Sequence, residues 1–526
     1  MTAKQQVFRV RRNYNRWVAN QTLEDYALRF TAKKARTFSA ARVSNTALGA
    51  ISFLALEAIG GAITLSYGFT NAAFAIMVVA AIIFLTSIPI SYYAARYGID
   101  IDLLTRGAGF GYIGSTITSL IYASFTFIFF ALEAVIMAMA LELTLGIPLS
   151  IGYVVCALVV IPLVTYGITL ISRFQLWTQP FWIILQLLPF IFIAYQDISS
   201  VTNWVEYEIE PNPNAPTFNL LLFGAAASVL FSLVAQIGEQ VDFLRFLPDY
   251  DESSLNKQQR RRWWISLLAG GPGWIVVGAL KILAGSFLAV LALSHGIEPE
   301  NASDPAHMYL VAFGYISNSP DLALALAGIF VILSQLKINV TNAYAGSIAW
   351  SNFFSRLTHS HPGRVVWLVF NVMIALMLME LGIYRVLEDI LGSYAIIALA
   401  WVGALVADLV INKPLGLRPK NIEFKRAHLF DVNPVGVGSM LIASIIGLNA
   451  HLDSFGETAA ALSSFITLAT TFILAPLIAW YTKGKYYIAR SSIIYPADTA
   501  DVQCCICEHA FETEDMAHCP AYEGHI

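Results

Sequence analysis

Residues 44–67 read SNTALGAISFLALEAIGGAITLSY, an apolar run interrupted by one acid, Glu57, and by the pair Gly60-Gly61. A helix needs about 20 mostly apolar residues to cross the hydrocarbon core of a bilayer. This run, Ser44–Tyr67, is long enough. The whole chain shares its character: of 526 residues, 57% are hydrophobic and 13% charged. Soluble domains carry about 45–50% apolar and about 25% charged residues. With half the usual charge, too little polar surface exists to coat the chain in water, so lipid must solvate much of it.

Working outward from that first run, eleven more follow, each bounded by polar or Gly/Pro-rich turns. Spans two to six are Ala72–Tyr93, Ile117–Leu143, Ser150–Leu170, Trp177–Tyr195 and Leu220–Ile237. Spans seven to twelve are Trp264–Ser294, Leu322–Ala343, Val365–Leu381, Ile390–Ile411, Pro434–Leu448 and Ala459–Trp480. The eleventh is short, which makes eleven the rival count. With the N-terminus inside, the cytoplasmic pieces hold every Lys and Arg except Lys281 and Lys337, which lie within spans, and Arg385. The opposite loops carry Glu206, Glu208, Glu210, Glu298, Glu300 and Asp304. This is the positive-inside bias, and it predicts an all-α, multi-pass protein of the cell (inner) membrane with both termini cytoplasmic. The expected organisation is a basic N-terminal segment (1–43), a transmembrane domain (44–482) and a cytoplasmic Cys/His-containing tail (483–526).

A charge at the bilayer centre costs about 2.5–3.5 kcal/mol on insertion scales, so such residues face a partner or a cavity. Glu57, Glu133, Glu239, Lys281 and Lys337 are the residues in question. Lys281 is expected to pair with a carboxylate. For Glu57 the two readings are a site residue or a group that satisfies backbone freed at Gly60-Gly61. Glycine meets polar side chains again in span six, at Gln236-Ile237-Gly238-Glu239. Interruptions in corresponding spans of two halves point to a midplane binding site in inverted-repeat transporters, because unwound backbone is tolerated there only when it lines a cavity or is buried in protein.

Three ordered motifs carry a resemblance. After span two come Tyr97-Gly98-Ile99-Asp100, Leu103-Leu104-Thr105-Arg106 and Phe110-Gly111-Tyr112-Ile113-Gly114-Ser115. After span six comes Asp242-Phe243-Leu244-Arg245-Phe246, and span eight holds Asn339-Val340-Thr341-Asn342-Ala343-Tyr344-Ala345-Gly346-Ser347, then Ser351-Asn352-Phe353-Phe354. From about Arg36 to Arg490 the chain resembles the nucleobase–cation symporter-1 family, of the purine and cytosine permease type. The resemblance implies a LeuT-type five-plus-five inverted repeat with two C-terminal helices, and a substrate held between spans one, three, six and eight. It places the ring-stacking aromatic at Phe129, the ring's hydrogen-bonding partner at Glu133 and the span-eight asparagine at Asn342. Gln236, Gly238, Glu239, Asn339 and Glu57 complete the candidate substrate site. Leu233 stands where the family has a second stacking aromatic, so one side of the aromatic sandwich is missing. Heterocycles present apolar faces and polar edges, which suits an aromatic wall with Asn, Gln or Glu at the rim. A carboxylate at 133 suits a ligand rich in N–H donors, or a cationic one.

Lys337-Ile338 falls where sodium-coupled relatives place two hydroxyl residues. An ammonium offers only donors, so Lys337 is expected to take the coupling ion's place, making transport independent of sodium and, through reversible protonation, coupled to protons. The rival reading is a fixed pair between Lys337 and a carboxylate.

In the tail, Cys504 and Cys507 form a C-x₂-C step, with His518 and Cys519 following. These could supply zinc ligands, although a complete site normally has a second such pair. No other cofactor is expected. The tail also resembles the junction at which permease-like sensors pass into hybrid histidine-kinase domains, which suggests a cytoplasmic signalling partner or fused kinase. The leading expectation is therefore a secondary transporter for a nucleobase-like heterocycle; the alternative is a ligand-sensing membrane domain. No nucleophile–base pair or phosphate loop argues for an enzyme, and no nucleic-acid partner is expected.

Overall fold

A computed structural model describes residues 30–31, 33–208, 217–250, 256–317, 319–358, 363–424, 428–489, 501–503 and 510–512. Every expected span position carries helix. Span one is a bent pair, Ala40–Ser52 and Ala55–Tyr67. Among the described residues, nine helices are long and apolar enough to cross a membrane, or ten with that bent pair as one span. Spans four and nine, Leu149–Thr165 and Arg364–Glu380, are 17 residues each. The bundle is therefore helical throughout, and a short antiparallel pair, Asp501–Gln503 with Ala510–Glu512, lies in the tail. Cys504, Cys507, His518 and Cys519 fall outside the described residues.

Caps explain several boundaries. Asn219 accepts from the amides of Leu221 and Leu222 to open span six, and Asn433, followed by Pro434, opens span eleven. Span eight continues past its expected end to Thr358, a helix of 39 residues. It packs along span three, Gly114–Leu145, and this pair forms the spine of the core. Phe181, Ile184, Leu187 and Ile191 of span five, with Ile445, Ile473, Leu477 and Trp480 of the last two spans, are exposed large apolar side chains. In water such a surface would drive association; in lipid it is the expected outer face.

Between spans seven and eight, Asp304 caps Pro305–Gly314 by accepting from Ala306 N at 3.0 Å. Its other oxygen lies 2.5 Å from His307 Nδ1. That hydrogen bond, opposed by partial burial and helped by the carboxylate's charge, raises the His307 pKa above its ordinary 6.5. A raised folded-state value favours the fold while the unfolded imidazole is still protonated, and the benefit fades as pH rises through the folded value. The imidazole pKa read by NMR is expected to fall in Asp304→Asn, with a loss of thermal stability that is larger at pH 6 than at pH 9.

Candidate functional site

The break in span one organises the site. Ser52 ends one helical piece, Phe53 is extended (φ −61°, ψ 134°), and the next piece begins at Ala55, bent by 46°. Interrupting a helix strands amides and carbonyls that lipid cannot satisfy. Side chains from three other spans catch them here. Leu54 N donates to Gln335 Oε1 at 3.2 Å, and Ala55 N donates to Glu133 Oε2 at 3.4 Å. Lys281 Nζ donates to the Ser52 carbonyl at 3.1 Å. Lys281 also pairs with Glu57 Oε1 at 2.9 Å, and Tyr309 OH donates to that same oxygen at 3.2 Å.

Gly60-Gly61 is not the break. The helix runs through both residues, and a Cβ on Gly60 would lie 1.9 Å from the Ile282 carbonyl oxygen of span seven. From the other side, a Cβ on Gly285 would lie 2.1 Å from the Glu57 carbonyl oxygen. These glycines bring two backbones together, and that closeness lets Lys281 reach Glu57.

Span six is also not unwound. It tightens to a 3-10 turn over Ser232–Gln236, with helical dihedrals at both flanks. Gly238 makes room for the Tyr122 ring, which a Cβ would meet at 2.4 Å. Gln236 Nε2 donates to Glu239 Oε2 at 2.9 Å. Glu239 stands beside Thr341 of span eight, while Glu133 stands beside Gln335, nearly two turns earlier on the same helix.

Asn339 lies between those two levels and Asn342 one residue past the second. Both are 0% exposed, and neither amide oxygen nor amide nitrogen of either residue has a hydrogen-bond partner among the described residues. Glu133 Oε1, Glu239 Oε1 and Gln335 Nε2 likewise make no well-aligned hydrogen bond among the described residues, although Gln335 lies within reach of Glu133 and Thr341 within reach of Glu239. Each such buried atom costs about 1–3 kcal/mol, and most buried polar groups in native proteins do have a partner. Phe129 is buried, edge-on to Phe53 (centroids 6.4 Å apart, planes at 90°) and tilted against Phe125 at 4.5 Å. Leu233 is buried in the 3-10 turn of span six. The geometry thus adds two residues to the expected set, Phe53 and Gln335. Gln335 had a sequence signal: with Asn339 and Asn342 it forms a polar i, i+4, i+7 stripe, one face of a helix.

Lys337 projects the other way, toward span five (Ile168–Gln196). Its Nζ donates to Gln175 Oε1 at 2.6 Å, Thr178 Oγ1 at 3.0 Å, Gln179 Oε1 at 3.0 Å and the Gln175 carbonyl at 3.4 Å. Gln175 Nε2 returns a bond to the Lys337 carbonyl at 2.8 Å. All these partners are neutral oxygens, so the expected alternative of a lysine–carboxylate pair is replaced by an oxygen cage.

Beyond the ends of spans two, six and eight, the three motifs converge. Asp100 accepts from Asn352 Nδ2 at 3.0 Å, and Asp102 binds both Ser119 and the Arg356 guanidinium. Tyr122 OH donates to Asp242 Oδ2 at 2.9 Å, and Arg245 Nη2 donates to Tyr344 OH at 3.2 Å. The motifs therefore stitch together one set of ends of spans three, six and eight. No cluster of three or more His, Cys, Asp or Glu that could hold a metal occurs among the described residues.

The fold as a whole recurs in solved transporters. Mhp1, described as a nucleobase-cation-symport-1 family transporter in a closed conformation with bromovinylhydantoin bound, matches with a TM-score of 0.64 at 16% identity, covering 88% of this chain and 96% of that one. The fold is that of a LeuT-type transporter. An inward-facing conformation of Mhp1 matches at 0.63 and 16% identity, covering 88% and 93%. A sodium-coupled sialic acid symporter in a substrate-bound outward-open state matches at 0.54 and 12% identity, covering 89% and 95%. No family model matches the chain, and no curated protein matches it. No comparison supports the sensor-kinase reading.

Proposed function

We propose that this chain is a secondary transporter that moves a small polar nitrogen heterocycle through a midplane site, by rocking one helix group against another. One observation carries the reading: fully buried Asn339 and Asn342, without partners among the described residues, on the helix whose Gln335 holds the break in span one, in a fold shared with hydantoin-bound Mhp1. Buried amides of that kind are retained when something small docks against them. Glu133 and Gln335 supply the outer rim, and Phe129 with Phe53 an aromatic wall.

Thermal-shift screening of purines, pyrimidines, hydantoins and amines on the purified chain identifies the ligand class. In the variant test, Glu133→Gln and Asn342→Ala each weaken the hit at least tenfold, which is about 1.4 kcal/mol, without lowering the ligand-free melting temperature by more than a few degrees. Full-strength binding in both variants would place the pocket elsewhere.

Coupling rests on Lys337. Its tethered ammonium sits in an oxygen cage where an inorganic cation would find ligands, so uptake needs no sodium and draws on protons. In proteoliposomes, uptake should proceed equally in sodium and choline and collapse with a protonophore. Lys337→Met, which holds no proton, should lose concentrative uptake while still exchanging labelled for unlabelled ligand. Sodium-stimulated uptake by the unaltered protein would overturn this coupling.

A further inference from the structure

We infer that the ligand is an elongated cation with an N–H-bearing group at each end, one meeting Glu133 and the other meeting Glu239. The inference rests on the midplane site proposed above and narrows its ligand. Glu133 Oε1, at the level of Gln335, and Glu239 Oε1, at the level of Thr341, each lack a well-aligned donor, with Gln335 and Thr341 as their nearest side-chain neighbours. Six residues of helix separate those levels, about 9 Å of rise at 1.5 Å per residue. Asn339 lies between them and Asn342 one residue past Thr341, each with both a donor and an acceptor unused.

Charge decides the sign of the guest. Both nearby cations are already committed: Lys281 to Glu57 and the Ser52 carbonyl, Lys337 to the oxygens of span five. Lys281 reaches Glu133 only through space, without a direct contact, and among the described residues no lysine or arginine acts on Glu239; little therefore compensates the two carboxylates once water is excluded, and an uncompensated buried carboxylate is costly. A guest that donates N–H bonds and positive charge at both ends removes that cost, and charge-assisted bonds are about twice as strong as neutral ones. A neutral planar ring would leave at least one carboxylate oxygen bare. Leu233 fits the same guest: an extended cation needs apolar walls along its length rather than a second stacking ring.

The test uses the full chain purified in detergent. The probes are α,ω-diamines of three to six carbons, an amidine-bearing heterocycle with a terminal amine, the corresponding monoamines, and neutral pyrimidines and hydantoins. Calorimetry is expected to show the best-fitting diamine or amino-amidine binding at least tenfold more tightly than its monoamine. Glu239→Gln should erase that tenfold advantage while monoamine affinity changes less than threefold. Glu133→Gln should weaken every cationic probe, and both variants should keep the ligand-free melting temperature, which separates lost charge from lost folding. Neutral heterocycles binding more tightly than every cationic probe would overturn the inference and leave the transport reading standing. Binding of no probe in either class would overturn both.

Discussion

Lys281→Met should be among the most damaging single changes in the molecule, lowering stability by about 3–5 kcal/mol, the usual cost of removing one partner from a buried ion pair. The substitution leaves Glu57 charged, 0% exposed and facing only Tyr309. It also removes the donor that satisfies the Ser52 carbonyl at the helix break. The double variant Glu57→Gln/Lys281→Met should recover much of the loss, because the bare charge is then gone while the Ser52 carbonyl remains unsatisfied. A double-variant cycle in thermal unfolding of the detergent-solubilised protein measures this. Additive losses from the two single changes would show that the pair is not the source of the effect.

The second large effect is steric and lies on the same seam. A Cβ on Gly60 would sit 1.9 Å from the Ile282 carbonyl oxygen, and one on Gly285 would sit 2.1 Å from the Glu57 carbonyl oxygen. Neither obstacle is a flexible side chain that could swing aside; both are backbone. Overpacking a close contact ordinarily costs about 1–3 kcal/mol. Here the spans must also part, which lengthens the 2.9 Å Lys281–Glu57 pair. Gly60→Val should therefore reduce the yield of folded protein more than Gly61→Ala, whose Cβ meets the flexible Met308 side chain at 2.6 Å. Gel-filtration yield and melting temperature check the order; equal behaviour would mean that the seam has slack.

Much of this was legible in the sequence because membrane physics is strict. Apolar length and the Lys/Arg bias fixed the positions of the helices, and intramembrane charge flagged Glu57, Lys281, Glu133 and Glu239 as residues with a partner or a purpose. The position of the break was not legible. Glycine marks both flexibility and close packing, and nothing local distinguishes them: Gly60 and Gly238 pack, while the chain opens at Ser52-Phe53-Leu54, which contains no glycine. Phe53 and the Leu54 amide become visible only once Gln335 and Glu133 arrive from about 280 and about 80 residues away along the chain, as long-range satisfaction of buried backbone requires. One of the two readings of Lys337, a pair with a carboxylate, failed for a related reason. A lysine in an apolar run invites a search for an acid, but three side-chain oxygens and a carbonyl on span five satisfy its donors equally well.

The clasp on span one has a mechanical corollary. Ala55 is held by Glu133 and Leu54 by Gln335, two of the side chains whose remaining polar atoms face the core. Any solute that draws these side chains toward itself loosens the same pins that keep the kinked helix seated. In the proposed transport cycle, occupancy and helix freedom are thus wired to the same two side chains, so filling the centre and releasing the moving part are a single event.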